Sequence, residues 1–122
     1  MPAIAVIGAS PNRRKFGNKA VRAHLKRGWT VYPIHPTEPE IEGLPSHRSV
    51  ADVHEPLDRV ALYVPPEVGQ RLIEEIKAAA PKELFFNPGT HTPALLELAR
   101  RAGLETRVGC AIIEIGESPA SY

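Results

Sequence analysis

Short apolar runs alternate with amphipathic segments along this chain of 122 residues. Ile4–Ile7 is a run of apolar residues that stops at Gly8, the pattern of a strand buried on both faces. Phe16–Arg27 has helical spacing, with Ala20, Val21, Ala23 and Leu25 supplying the inward face and Gly28 the stop. Thr30–Ile34 is β-branched and aromatic and closes on His35-Pro36, which predicts a second strand. Residues 36–48 carry prolines, Gly43 and polar groups and read as a loop; Ser49–Val53 reads as one helical turn. Val60–Val64 predicts the third strand. Pro66 suits the first position of the next helix, where its missing N–H costs little, and Val68, Leu72, Ile73 and Ile76 share one face of it. Glu83–Phe86 predicts a fourth strand before Asn-Pro-Gly-Thr. Thr92 caps a further helix with Pro93 at its first position, Leu95, Leu96, Leu98 and Ala99 on its apolar side, and Gly103 after it. Glu105–Val108 predicts the fifth strand, and Ala111–Ile115 a short apolar run packed over the sheet edge.

Strands separated by helical segments predict an α/β fold, a Rossmann-like three-layer sandwich with a five-stranded parallel sheet covered on both faces. No internal repeat or long linker divides the chain, so residues 1–122 read as a single domain. In such sheets a ligand sits beyond the carboxyl ends of the strands, where the strand order reverses. That rule selects the strand-to-helix segments Gly8–Lys15, Ile34–Pro36, Val64–Glu67 and Asn87–Thr90.

Composition adds constraints. The chain is 43% hydrophobic and 24% charged, ordinary for a globular protein. It has no apolar run long enough to span a membrane, and its first residues, MPAIAVIGAS, lack the basic start of a signal peptide. Its single cysteine, Cys110, excludes an internal disulfide framework and any multi-cysteine metal site, and predicts a cytoplasmic protein. The net charge of +1 hides an asymmetry. Residues 1–28 hold Arg13, Arg14, Lys15, Lys19, Arg22, Lys26 and Arg27 and no acid, so this segment carries +7 and the remainder −6. A basic first strand-helix unit suggests a local anionic ligand, against the alternative of a solvated helix face.

The segment Gly8–Lys15 sharpens that choice. Gly8 permits close backbone approach, Ser10 offers a hydroxyl, and a helix start presents unpaired N–H groups and the positive end of its dipole. Arg13, Arg14 and Lys15 fall in the same place, which favours phosphate over a plain turn with solvated cations. The P-loop pattern is absent, and so is Gly-x-Gly-x-x-Gly. The second strand ends in Ile34-His35-Pro36 and brings no acid for a ribose, since Glu38 lies beyond a proline. An NAD(P)-dependent oxidoreductase of Rossmann type is therefore the weaker alternative. Nucleic-acid binding through the basic segment is weaker still, because few aromatics are available for stacking.

No catalytic or metal-binding constellation is legible. His24 reads as a face residue of the first helix, and His47 and His54 as solvated. His35 and His91 follow strands and are the two with a route to the crevice, but neither has a metal or acid partner at a defining spacing. Glu114 and Glu117 read as surface residues. Cys110 reads as a small buried residue, or alternatively as a thiol near the crevice.

The motifs VIGAS at 6–10, VYPIHP at 31–36, SVADV at 49–53, YVPPE at 63–67, FNPGT at 86–90 and GCAIIEI at 109–115 occur in one order, each after its strand. In this the chain resembles the small stand-alone CoA-binding proteins, whose Rossmann-type domain is similar to the CoA-binding domain of succinyl-CoA synthetase α subunits. The resemblance implies CoA or acyl-CoA as ligand and a binding module without catalysis of its own. By it, Gly8, Ala9 and Ser10 lie against the CoA phosphates and Arg13, Arg14 or Lys15 neutralise them. Pro36 flanks the adenosine portion, with His35 beside it in the site, Val64 and Pro65 form an apolar wall, and Asn87 with Gly89 completes the crevice. His35 stands where many relatives have asparagine. A Cys110 thiol beside the pantetheine end would be able to form a mixed disulfide with CoA. The synthetases' second domain, with its phosphohistidine, is not represented, so their ligase activity does not carry over.

Overall fold

The computed structural model describes residues Met1–Tyr122. Its elements run β1 Ala3–Ile7, α1 Phe16–Lys26, β2 Thr30–Ile34, β3 Glu40–Ile41, β4 Leu44–Pro45, β5 Arg59–Leu62, α2 Pro66–Ala79, β6 Glu83–Phe86, α3 Pro93–Arg101, β7 Thr106–Val108 and α4 Ala111–Glu114. Single 3-10 turns occupy Val50–Asp52 and Pro119–Ser121. Five strands form one parallel sheet in the order β2-β1-β5-β6-β7. This is the predicted Rossmann-like α/β sandwich.

Side chains alternate across the sheet because strand side chains have a period of two. Ile4, Val6, Ala61 and Phe85 pack with Ala20, Val21, Ala23 and Ile112, from α1 and α4. Ala3, Ala5, Ile7, Val60, Leu62, Leu84 and Phe86 pack with Val50, Ile73, Ile76, Leu95 and Ala99 on the other side. All five residues of β1 are buried, as a central strand requires. No helix is long and apolar enough to cross a membrane.

Four expectations are corrected. The segment read as a loop contains a small antiparallel hairpin, β3–β4, turning at Glu42-Gly43 with both φ angles positive, 50° and 77°. Helix α1 buries Ala20, Val21 and Ala23 as expected, but His24 is also fully buried and Leu25 is 37% exposed. The His24 Nδ1–H donates to the Ala20 carbonyl at 2.7 Å, and its ring meets the Trp29 edge at 5.1 Å. Burial lowers its pKa to about 4, so it is neutral at pH 7.

The third strand begins one residue early, at Arg59, which is 3% exposed. Its guanidinium lies 4.9 Å from the Trp29 and Phe85 rings and pairs with Glu83 and Glu114. Glu114 is thus a partner of a buried cation, and Glu117 is held by Arg27, Lys26 and the Tyr122 hydroxyl; neither is a free surface carboxylate.

Candidate functional site

The chain passes from β1 to β2 at one side of the sheet and then returns to β5 on the other side of β1. The order of the strands reverses between β1 and β5, and a crevice opens where neighbouring connections diverge. Gly8 and Tyr63 end these two strands, and the Tyr63 N–H donates to the Ile7 carbonyl at 2.8 Å. Gly8 has φ +95°, and a Cβ on it would lie 2.5 Å from the Tyr63 carbonyl oxygen. Only glycine fits there. Gly17, in the first turn of α1, is equally constrained: a Cβ would lie 2.1 Å from the Gly8 carbonyl oxygen. The two glycines let the start of α1 rest directly on the β1–α1 loop.

The crevice has a volume of about 740 Å³. Gly8, Ala9, Ser10, Arg14, Lys15, His35, Pro36, Val64, Pro65 and Gly89 line it, so ten of the twelve expected site residues come together. Arg13 and Asn87 do not line it. The Arg13 guanidinium is 3.3 Å from both carboxylate oxygens of Glu42. Asn87 is 1% exposed and works as a bracket: its Nδ2 donates to the Leu62 carbonyl at 3.0 Å, and its Oδ1 accepts from the Ala111 N–H at 2.9 Å. It thereby ties the end of β6 to β5 and α4. The Thr90 hydroxyl donates to the Asn87 carbonyl at 2.7 Å and folds the following loop back.

Phe16, Gly17, Tyr63, Pro88 and Thr90 also line the crevice; Tyr63, Pro88 and Thr90 lie in the motifs YVPPE and FNPGT, but none of the five was named as a site residue from the sequence. Gly17 carried a signal, because a glycine at a helix start beside a Gly-x-Ser turn often marks close helix–strand packing. The others owe their position to the neighbours of residues already chosen.

The charged lining of the crevice is of one sign. Two cations, Arg14 and Lys15, line it, and no carboxylate does. Helix α1 has no side-chain cap and no acid in its first turn, whereas Thr92 caps α3 through the Leu95 N–H. The first N–H groups of α1 thus face the crevice end without a side-chain acceptor. The Ser10 Oγ accepts from the Asn12 N–H at 3.1 Å, which leaves its own proton free to donate. His35 Nδ1 accepts from the Thr37 and Glu38 N–H groups at 3.0 and 2.9 Å. The ring proton therefore sits on Nε2, and His35 offers a donor.

A smaller cavity of about 100 Å³ adjoins the crevice, lined by Phe16, Tyr63, Asn87, Pro88 and Cys110. The Tyr63 hydroxyl is buried there without a partner. Burial, and then the nearby Cys110, raise its pKa well above the usual phenol range. Cys110 is a half-buried free thiol at the start of α4. His91 lies outside the crevice, with its ring edge-on to Phe86 at 6.3 Å.

The family description "CoA binding domain" matches residues 2–116. An ADP-forming acetate–CoA ligase of Archaeoglobus fulgidus is 30% identical over 112 residues, which is 84% of this chain and 16% of the ligase. The chain thus spans less than a fifth of that relative. A conserved hypothetical protein of Pyrococcus furiosus has a solved structure that superposes with a TM-score of 0.86 at 34% identity, covering 93% of this chain and 99% of that one. A dinucleotide-forming acetyl-coenzyme A synthetase of Candidatus Korarchaeum cryptofilum, solved with phosphate and ADP, superposes with a TM-score of 0.72 at 32% identity, over 87% of this chain and 25% of that one. With its fold, its switch-point crevice and a family match over nearly its whole length, this chain belongs to the CoA-binding domain family.

Proposed function

We propose that this protein is a binding module that holds CoA or an acyl-CoA, with the phosphates on the β1–α1 loop and no chemistry of its own. The observation that carries this reading is the charge of the crevice: two cations, an uncapped helix start and no carboxylate, at the switch point of the sheet. Ser10 and the α1 amides receive the diphosphate, with Arg14 and Lys15 as counter-charges. Pro36 and His35 border the adenosine portion, Val64 and Pro65 form the apolar wall, and Gly89 closes the far side. Arg13 belongs to the outer edge of this site because Glu42 already holds it.

The pantetheine arm runs over Phe16 and Tyr63 toward the smaller cavity and Cys110. A nicotinamide dinucleotide is disfavoured by the same crevice, which offers no acid for the ribose hydroxyls. Isothermal titration tests the proposal. CoA binds with measurable heat, dephospho-CoA binds more weakly, and NADH gives no fluorescence quench. CoA carries a 3′-phosphate that dephospho-CoA lacks, so equal binding of the two would show that the basic loop does not engage that group. NADH binding tighter than CoA binding would overturn the whole reading.

A further inference from the structure

The β3–β4 hairpin reaches back to the β1–α1 loop through one residue. Glu42 sits at the hairpin turn with φ 50°, a left-handed conformation unusual for a residue with a side chain. Its carboxylate accepts from Asn18 Nδ2 at 3.0 Å and from Arg13 at 3.3 Å. Those bonds, with Asn18 first, hold its pKa below the usual carboxylate range.

Asn18 is fully buried, and every polar atom of its side chain is used. Its Nδ2 also donates to the Ser10 carbonyl at 2.8 Å, and its Oδ1 accepts from Arg22 Nε at 2.7 Å. Arg22 in turn donates to the Arg13 carbonyl at 2.8 Å. The loop is therefore gripped at two points within it, Ser10 and Arg13, by Asn18 and Arg22, and Asn18 in turn bonds Glu42. Apolar packing of Ile41 seats the hairpin in the same core cluster as Ala9, and Glu42 adds the polar link to the loop.

We propose that Glu42 is a positioning residue: it fixes the β1–α1 loop, through Asn18 and Arg13, in the shape that receives phosphate. This assignment rests on the reading of that loop as the CoA-phosphate site. It makes a prediction opposite to simple electrostatics. Removing a carboxylate near an anion site, and freeing Arg13, would by charge alone strengthen anion binding. Positioning requires the reverse, because a loop that samples other shapes binds in proportion to its competent fraction.

The test is Glu42→Gly, which removes the carboxylate and at the same time relieves the positive φ. The unliganded variant should show faster amide exchange at Asn12, Arg14 and Lys15 than wild type. Strain relief should keep its melting temperature within about 4 °C of wild type. Its CoA affinity should fall about tenfold, and the loss should persist at high ionic strength, where charge effects are screened. Glu42→Gln, which keeps an acceptor for Asn18, should bind within about threefold of wild type.

Unchanged loop exchange in Glu42→Gly, or CoA binding as tight as wild type or tighter, would overturn the assignment. So would accelerated exchange throughout the chain with a larger fall in melting temperature, since that marks a general stabiliser. If wild type itself gives no CoA heat, the ligand reading fails, and the exchange measurement still decides whether Glu42 orders the loop.

Discussion

Replacing Gly17 by alanine adds one methyl group where the structure has no room for it. The new Cβ would lie 2.1 Å from the Gly8 carbonyl oxygen and 2.9 Å from its carbon, both backbone atoms that cannot swing aside. Ordinary contact needs over 1 Å more, so the first turn of α1 must lift off the β1–α1 loop. Gly8 cannot yield, because it is itself pressed against the Tyr63 carbonyl. Over-packing of this kind costs roughly 1–3 kcal/mol, and with backbone on both sides the upper end applies. For a chain of this size about 1 kcal/mol corresponds to about 4 °C, so the melting temperature should fall by roughly 8–12 °C.

Gly69→Ala is the matched control. Gly69 lies inside α2, and its added Cβ would meet only side-chain carbons of Leu95 and Leu62 at 3.4 and 3.8 Å. Helix propensity favours alanine there by up to about 1 kcal/mol, so this variant should melt at or above the wild-type temperature. Thermal unfolding followed by circular dichroism reads both. A Gly17→Ala protein that melts within about 2 °C of wild type would refute the claim that α1 rests on the loop backbone.

Other consequences are equally direct. Arg14→Ala and Lys15→Ala should each weaken CoA binding roughly 5- to 10-fold by titration calorimetry, with a shallower salt dependence than wild type. His24 stays neutral in the fold down to about pH 4, while in the unfolded chain it takes a proton near pH 6.5. Stability should therefore fall as pH drops from 6.5 toward 4, by roughly 3 kcal/mol for this group at the acid end, and His24→Gln should flatten that part of a urea-midpoint profile. Asn87→Ala strands the Leu62 carbonyl and the Ala111 N–H inside the protein, and should cost about 2–3 kcal/mol in urea unfolding.

The central architecture was readable because its signals are local. β1 is apolar on both faces and stops at a glycine, and Thr92-Pro93 starts α3 with its own cap. The crevice-lining residues followed from the rule that places sites at strand ends, which is why ten of twelve expected positions share one crevice. What escaped depends on contacts distant in sequence. Arg13, Arg14 and Lys15 are equivalent as letters; only Glu42, 29 residues away from Arg13, separates it from the other two. Arg59 reads as a strand flank until the fold brings the Trp29 and Phe85 rings within 4.9 Å of its guanidinium. The β3 and β4 strands have two residues each, too short to show a period, and prolines disguise them as loop. His24 and Leu25 are neighbours at the margin of the buried face of α1, where the apolar residue is the half-exposed one and the polar residue is buried.

The most direct test of the account is a crystal structure of the protein grown with CoA. The diphosphate should lie at the start of α1, within hydrogen-bonding distance of the Ser10 hydroxyl and the first α1 amides, with Arg14 or Lys15 beside it. CoA bound with its phosphates away from the β1–α1 loop, on any other face of the sheet, would contradict it.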